Sequence, residues 1–312
     1  MRVGTRGSAL ALAQAGGVVD LLPGGRGEHE LVTIATSGDR GEAGGDKERW
    51  VKELEQALLD GRIDLAVHSA KDVPADLPPG LEIVAAPRRA DPRDALCGAR
   101  SLEELAPGAV VGTSSVRRAA LLHAAREDLE VVELRGNVDS RLAKLADGGY
   151  AAIVLALAGL QRLGRGDAAT GVLDAAAFTP AAGQGTLVLE ARSGDGDALA
   201  AAGAVADLET MRCLAAERSL IRALGADCHT PVGAHAGLDE AGVMTLRAFV
   251  GRGDGSMWLR DELSDGNGGA GGPVGLGEAS HGKAVAHGEA VALGEALAAR
   301  LLSAGADQVL GR

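Results

Sequence analysis

Residues 111–122 read VGTSSVRRAALL, and the fold follows from how this stretch is read. An apolar run ends at Val111. Gly112-Thr113-Ser114-Ser115 then forms a turn that closes on a helix N-cap, and a helical pattern follows. A strand feeding a helix through a tight turn is the repeating unit of layered α/β folds. The stretch also carries a conflict. Arg117 and Arg118 fall in the first helical turn, where unpaired backbone N–H groups make the helix end positive and cations unfavourable. Charge placed there predicts something negative beside it. If that partner is a bound anion, replacing Arg118 by leucine leaves thermal stability equal or slightly raised.

The same junction recurs on either side. RVGTRGSALALAQA, residues 2–15, places Arg6-Gly7-Ser8 between a short strand and a helix. ELRGNVDSRLAKL, residues 133–145, puts Arg135 at a strand end and Arg141 in the first helical turn. Arg162, in AGLQRLG, follows another strand after a short helical stretch. Helix N-termini and guanidinium forks both suit carboxylate or phosphate. Open α/β folds bind ligands at the carboxyl ends of their strands. One such arginine is an ordinary solvated side chain or ion-pair partner. Three such junctions, with Arg162 placed the same way relative to a strand end, point to one cleft that holds a polyanion. Residues 63–80, IDLAVHSAKDVPADLPPG, add a strand stopped by Pro74 with Asp72 at its C-terminal end. A carboxylate there can stabilise a developing cation or shuttle a proton. The alternative is an Asx-turn beside a solvated lysine.

Further apolar runs read as buried strands: LVTIAT, LEIVAA, AVVGTS, LEVVELRG and AAIVLALAG. Amphipathic stretches such as WVKELEQALLDG and RLAKLADGG end in glycine, as helix C-termini do. The alternation predicts α/β layers with mostly parallel strands. Residues 87–107, rich in proline and charge, read as a crossing between domains, and residues 179–192 as a second. The glycine-rich 261–284 reads as a flexible surface loop, and 293–311 as a closing amphipathic helix. No internal repeat is visible. A chain of 312 residues suggests two or three domains. Aromatics at 2% require an aliphatic core, and a net charge of −12 argues against nucleic-acid or membrane-surface partners.

Three cysteines without C-x-x-C spacing suit a reducing compartment. No signal peptide and no membrane-spanning run are legible, so a soluble, cytoplasmic chain is expected. Cys97 and Cys213 read as small core residues. Cys228 lies beside His229 in a Gly/Pro-bounded loop and reads either as a nucleophile or as another inert thiol. HGKAVAH, residues 281–287, is a weak metal pattern, and no metal is expected.

Taken together, GTRGSALALAQA, VKELEQALLDGRIDLAVHSAKDVP, DPRDAL, VGTSSVRRAALL, LRGNVDSRLAKLADGGYAAIVLALAGLQRLG, TPAAGQGTLVLEAR and ERSLIRALGADCHTPVGAHA resemble the porphobilinogen deaminase family in order and spacing. They span residues 4 to 236, and the remainder matches loosely. The resemblance implies an α/β fold of two periplasmic-binding-protein-like lobes with mixed, mostly parallel sheets, plus a small α+β C-terminal domain. The implied boundaries are 1–88 with 184–204, then 89–183, then 205–312. The implied reaction joins four porphobilinogen molecules head to tail with loss of ammonia. It extends a dipyrromethane cofactor held on Cys228 and releases hydroxymethylbilane by hydrolysis.

By the same resemblance Asp72 is the catalytic residue, assisting loss of ammonia and stabilising the resulting cation. Lys71, Ser8, Thr113, Ser114, Ser115, Arg117, Arg118, Arg135 and Gly136 bind the cofactor. Arg6, Ser8, Arg135, Arg141, Arg162 and Gln184 bind substrate. Two carboxylates per pyrrole would explain the arginine junctions. A monomer is implied. The lid before VKELE departs from the family pattern: it reads GGDKERW, with Lys47 at the loop lysine and Trp50 at the aromatic position. The competing reading is a receptor-like anion-binding module without chemistry, which leaves Asp72 and Cys228 unexplained and would need an export signal.

Overall fold

The computed structural model describes residues 1–36, 51–227, 229–266 and 279–312, with only the backbone considered for 279–285. The chain opens with β1 (Arg2–Arg6), α1 (Ala9–Leu21), α2 (Gly25–Glu28), β2 (Glu30–Ile34), α3 (Lys52–Leu59), β3 (Leu65–Ser69) and β4 (Leu81–Ala85). It then crosses into β5 (Asp94–Cys97), β6 (Val110–Thr113), α4 (Val116–Ala125), β7 (Glu130–Glu133), α5 (Val138–Ala146), β8 (Ala152–Ala156), α6 (Leu157–Arg162) and β9 (Gly171–Val172). A second crossing returns it to β10 (Leu187–Arg192) and α7 (Gly196–Gly203). The last part holds α8 (Leu208–Ala223), β11 (Val232–Leu238), β12 (Met244–Gly251), β13 (Trp258–Ser264), α9 (Ala279–Ser303) and α10 (Ala306–Leu310).

Among the described residues the strands form three sheets, ordered β2-β1-β3-β10-β4, β7-β6-β8-β5-β9 and β11-β12-β13. In the first, β1 runs parallel to β2 and β3, while β10 is antiparallel to both β3 and β4. In the second, β6 runs parallel to β7 and β8, while β5 is antiparallel to β8 and β9. Each five-stranded sheet therefore has one reversed strand, and a crossing supplies it. These two strands lie inside the segments read from sequence as bare crossings. Their apolar cores, DALC and LVLEAR, pair because both flanking positions in the sheets are open. The third sheet is antiparallel throughout. Its edge strand β13 takes up 258–264, so the glycine-rich stretch at 261–284 begins as strand, and α9 covers its end from Ala279. Residues 267–278 lie outside the described part.

Each lobe sheet is packed on both faces, as apolar runs without strict alternation require. On one face of the first, Val3, Leu65 and Leu189 meet Ala15, Val18 and Val19 of α1. On the other, Ile63, Ala66 and Leu81 meet Leu54 and Leu58 of α3. Burying a leucine of this kind contributes about 1.5–3 kcal/mol. The second sheet packs Val111, Val154 and Leu96 against Leu121 and Leu122 of α4, with Phe249 of β12 joining from the C-terminal part. There α8 and α9 cover β11 and β12. Gly294 permits this close approach, since a Cβ there would fall onto the Ala216 carbonyl.

Candidate active site

Two strand-to-helix junctions expected from sequence are present and capped alike. Ser8 Oγ accepts from the Ala11 amide at 3.2 Å, and Ser115 Oγ from the Arg118 amide at 3.4 Å. At the third, Asn137 Oδ1 accepts from the Ser140 amide at 2.9 Å. All three face a cleft of about 660 Å³ between the two large sheets. The first lobe contributes Arg6 at the end of β1, Ser8, and Lys71 with Asp72 from a single 3-10 turn after β3. The second contributes Arg118, Arg135, Gly136, Arg141 and Arg162. Basic groups from both lobes thus converge as the sequence predicts.

The conflict at α4 has an internal answer. Asp94 of β5 is fully buried beneath the helix start. Arg117 donates to its Oδ2 at 2.8 Å, Arg118 to its Oδ1 at 2.7 Å, and Gln184 to Oδ1 at 2.9 Å. The arginines also donate to backbone carbonyls, Arg117 to Thr179 at 2.7 Å and Arg118 to Val154 at 3.0 Å. Burial alone would raise the Asp94 carboxyl. The charges of Arg117 and Arg118, with hydrogen bonds from Arg118 and Gln184, outweigh it and hold the group well below the usual carboxylate range. This contact reverses the expectation for Arg118→Leu: the change strips a buried carboxylate of a partner, so a loss of stability is expected in thermal unfolding.

One carboxylate between two guanidiniums leaves a net positive charge. Arg117 is 4% exposed and its Nε has no hydrogen-bond partner, a buried donor lacking an acceptor. It borders a second cavity of about 370 Å³, together with Ser115, Lys71, Asp72 and Asp227. Burial and the charge of Arg118 lower the pKa of Arg141, and burial lowers that of Arg162, so an anion in the cleft would relieve both. A polycarboxylate such as dipyrromethane fits this donor set of guanidinium, ammonium, hydroxyl and helix N–H groups.

The other expected residues are distributed unevenly. Thr113 is buried and its Oγ1 accepts from the Ser115 amide at 3.2 Å, while Ser114 is exposed. Gln184 is buried behind the cleft wall, within 3.4 Å of Lys71 Nζ. Arg162 donates to the Gly185 carbonyl at 2.7 Å, and Arg141 to that of Gly136 at 2.7 Å. Arg135 pairs with Glu133 at the surface. Lys47, Trp50 and Cys228 lie outside the described residues. Cys97 and Cys213 are buried, and burial pushes their thiols up to about 11 and about 12. Among the described residues no group of three or more His, Cys, Asp or Glu side chains could hold a metal, and no helix is long and apolar enough to cross a membrane.

Sequence reasoning missed Asp94, although a charge inside the apolar DALC was its signal. It also missed the Arg89–Glu217 pair, at 2.6 Å, and His68, whose Nε2 lies 3.0 Å from the fully buried Glu190. Glu190 ends the apolar run LVL, whereas Glu217 lies among other charged residues of α8 and gave no such signal.

Comparison with known proteins gives a consistent result. Residues 1–200 match a family model described as porphobilinogen deaminase, dipyromethane cofactor binding domain, and residues 211–303 match the porphobilinogen deaminase C-terminal domain. Porphobilinogen deaminase of Thermus thermophilus is 48% identical over 265 residues, covering 84% of this chain and 88% of that one. The Deinococcus radiodurans protein of the same name is 47% identical over 270 residues, covering 83% and 87%. Among solved structures, a TRAP periplasmic solute binding protein from Desulfovibrio salexigens aligns with a TM-score of 0.41 at 11% identity, covering 67% and 71%.

Proposed function

The chain belongs to the porphobilinogen deaminase family, and from that premise we propose that it is a transferase joining four porphobilinogen molecules head to tail, with loss of ammonia and release of hydroxymethylbilane. The observation that carries this reading is the meeting of Asp72 with arginines of both lobes in one cleft. Loss of ammonia breaks the aminomethyl C–N bond of porphobilinogen and leaves an electron-deficient methylene carbon. The Asp72 carboxylate, half-buried at the cleft wall, stabilises that cation as a fixed opposite charge. Arg6, Ser8, Arg135, Arg141 and Arg162, with Gln184 behind them, hold the acetate and propionate groups of substrate. Lys71, Ser8, Arg117, Arg118, Arg135, Gly136 and the 113–115 turn hold those of the cofactor. Bound through Cys228, the dipyrromethane supplies the nucleophilic pyrrole carbon to which each new unit is joined.

The three units are taken as 1–88 with 184–204, 89–183, and 205–312, a division supported by the three sheets. Lys47 and Trp50 are assigned to a lid. Cytoplasmic residence and a monomeric state belong to the same proposal, and the free thiols of Cys97 and Cys213 support a reducing compartment. A receptor-like module without chemistry is not favoured, because the named relatives are deaminases over nearly their whole length.

The test is the intact mass of denatured protein together with porphobilinogen turnover. The expected result is a dipyrromethane-sized excess that survives Cys97→Ser and Cys213→Ser and is lost, with activity, in Cys228→Ser. Active enzyme without the excess, or with it on another cysteine, sinks the assignment.

A further inference from the structure

The turn that carries Asp72 is gripped on both flanks by neighbouring residues of one helix in the C-terminal part. Arg218 of α8 is half-buried against this turn. It donates to three successive carbonyls: Val73 at 3.3 Å, Pro74 at 2.6 Å and Ala75 at 2.9 Å. These carbonyls leave the sheet after β3 and have no ladder to join, so they need donors from elsewhere. Burial lowers the guanidinium to about 10. One helical turn on, Arg222 donates to the Ala75 carbonyl at 2.6 Å and to Asp76 at 2.9 Å. On the other flank, Glu217 is fully buried and accepts from the Gly183 amide at 2.6 Å. Gly183 has φ +71°, and a Cβ there would lie 2.8 Å from the Ala70 Cβ and 3.1 Å from the Lys71 nitrogen. The backbone fixed by Glu217 therefore presses on Ala70 and Lys71. Leu214, on the same helix, shares a core cluster with Ala70 and Val73. Asp72 sits between these two held points.

We infer that Arg218 is a positioning residue for the reaction, holding Asp72 in register by fixing the backbone of residues 73–75. The inference rests on the role proposed for Asp72. Arg218 lines the second cavity beside Lys71, Asp72 and Arg117, but its hydrogen bonds go to the carbonyls of the turn, so its loss is expected to misplace the carboxylate and leave substrate binding in place. Small displacements of catalytic groups cost rate steeply. Lysine keeps the charge but offers a compact point donor in place of a planar fork spanning several acceptors.

The test compares wild type, Arg218→Met and Arg218→Lys by kcat, KM for porphobilinogen and intact mass. The expected result for Arg218→Met is a kcat lower by on the order of 10- to 100-fold, with KM unchanged and the cofactor mass retained. Arg218→Lys folds with the charge in place and recovers part of kcat. If Arg218→Met does not fold, a reduced kcat at unchanged KM in Arg218→Lys carries the same conclusion. Unchanged kcat in Arg218→Lys and Arg218→Met overturns the inference. So does a raised KM at wild-type kcat, or loss of the cofactor mass, since either makes Arg218 a ligand for pyrrole carboxylates. Wild-type protein that does not turn over porphobilinogen overturns the proposed function itself, and this inference with it.

Discussion

The two lobes share one sheet plan and solve the same problem differently. Each has a single reversed strand, and each reversed strand buries one acid, Glu190 in the first lobe and Asp94 in the second. Glu190 faces His68 across the neighbouring strand. Asp94 faces two arginines from the start of α4 and a glutamine from the returning crossing. A buried acid is tolerated only with a partner, and the choice of partner decides what the lobe presents to the cleft. The second lobe gathers its arginines around an internal counter-ion and leaves positive charge over. The first keeps its pair inside and offers Arg6, Lys71 and Asp72 at strand ends. Both lobes thus bring positive charge to the cleft, and on the proposed function the first also brings the carboxylate that reacts.

The sharpest way to break this comparison is Asp94→Ala. It leaves two buried guanidiniums without their carboxylate, and a loss of about 3–5 kcal/mol is expected in denaturant unfolding. A loss below about 1 kcal/mol would show that the arginines find other partners. The acid limb adds a second reading. The folded Asp94 carboxyl is depressed, so its stabilisation is complete above the unfolded value near about 3.9 and fades as pH falls below it. Asp94→Asn flattens the fall in stability below about pH 4, and an unchanged slope there contradicts the assignment.

Asp72→Asn comes next. Turnover is expected to fall by roughly 100-fold or more with the fold intact, whereas the Asp94 variants lose stability first. Near-normal turnover of porphobilinogen by Asp72→Asn removes the chemical half of the comparison. Glu190→Gln is expected to cost less than Asp94→Ala, about 1–3 kcal/mol, because its partner is a histidine and not two permanent cations. Equal losses at the two acids would erase the contrast. The smallest effects belong to the caps. Ser8→Ala and Ser115→Ala are each expected to cost about 1 kcal/mol of stability, and a large difference between them would mean that the two junctions are not equivalent.

The strand-to-helix junctions were legible because their information is local: an apolar run, a serine cap and a helical pattern lie within a dozen residues. Ser8 and Ser115 cap as expected. β5 and β10 were hidden because proline and charge surround them, and their place is fixed by open sheet positions far away in sequence. The gathering of arginines was visible as a pattern, but the pairing of Arg117 and Arg118 with Asp94 was not. That contact joins residues 23 and 24 positions apart through a reversed strand, and a lone acid in DALC does not say which cation it meets. The grip of α8 on the Asp72 turn spans 144 positions for Arg218 and Pro74, a separation at which sequence pattern carries no information.

The reversed strand of the first lobe carries a consequence for the order in which the molecule can be completed. β10 separates β3 from β4 in the sheet, so these two cannot be joined until residue 192 has left the ribosome. The second lobe holds all five of its strands between residues 94 and 172. During synthesis the lobe that begins the chain is thus the later of the two to close, and its first four strands must wait, with unsatisfied edges on β3 and β4, while their neighbour is finished. Chains arrested at residue 183 are expected to resist protease across the second lobe and remain cleavable in the first; protection of both would show that β3 and β4 find another way to shelter their edges.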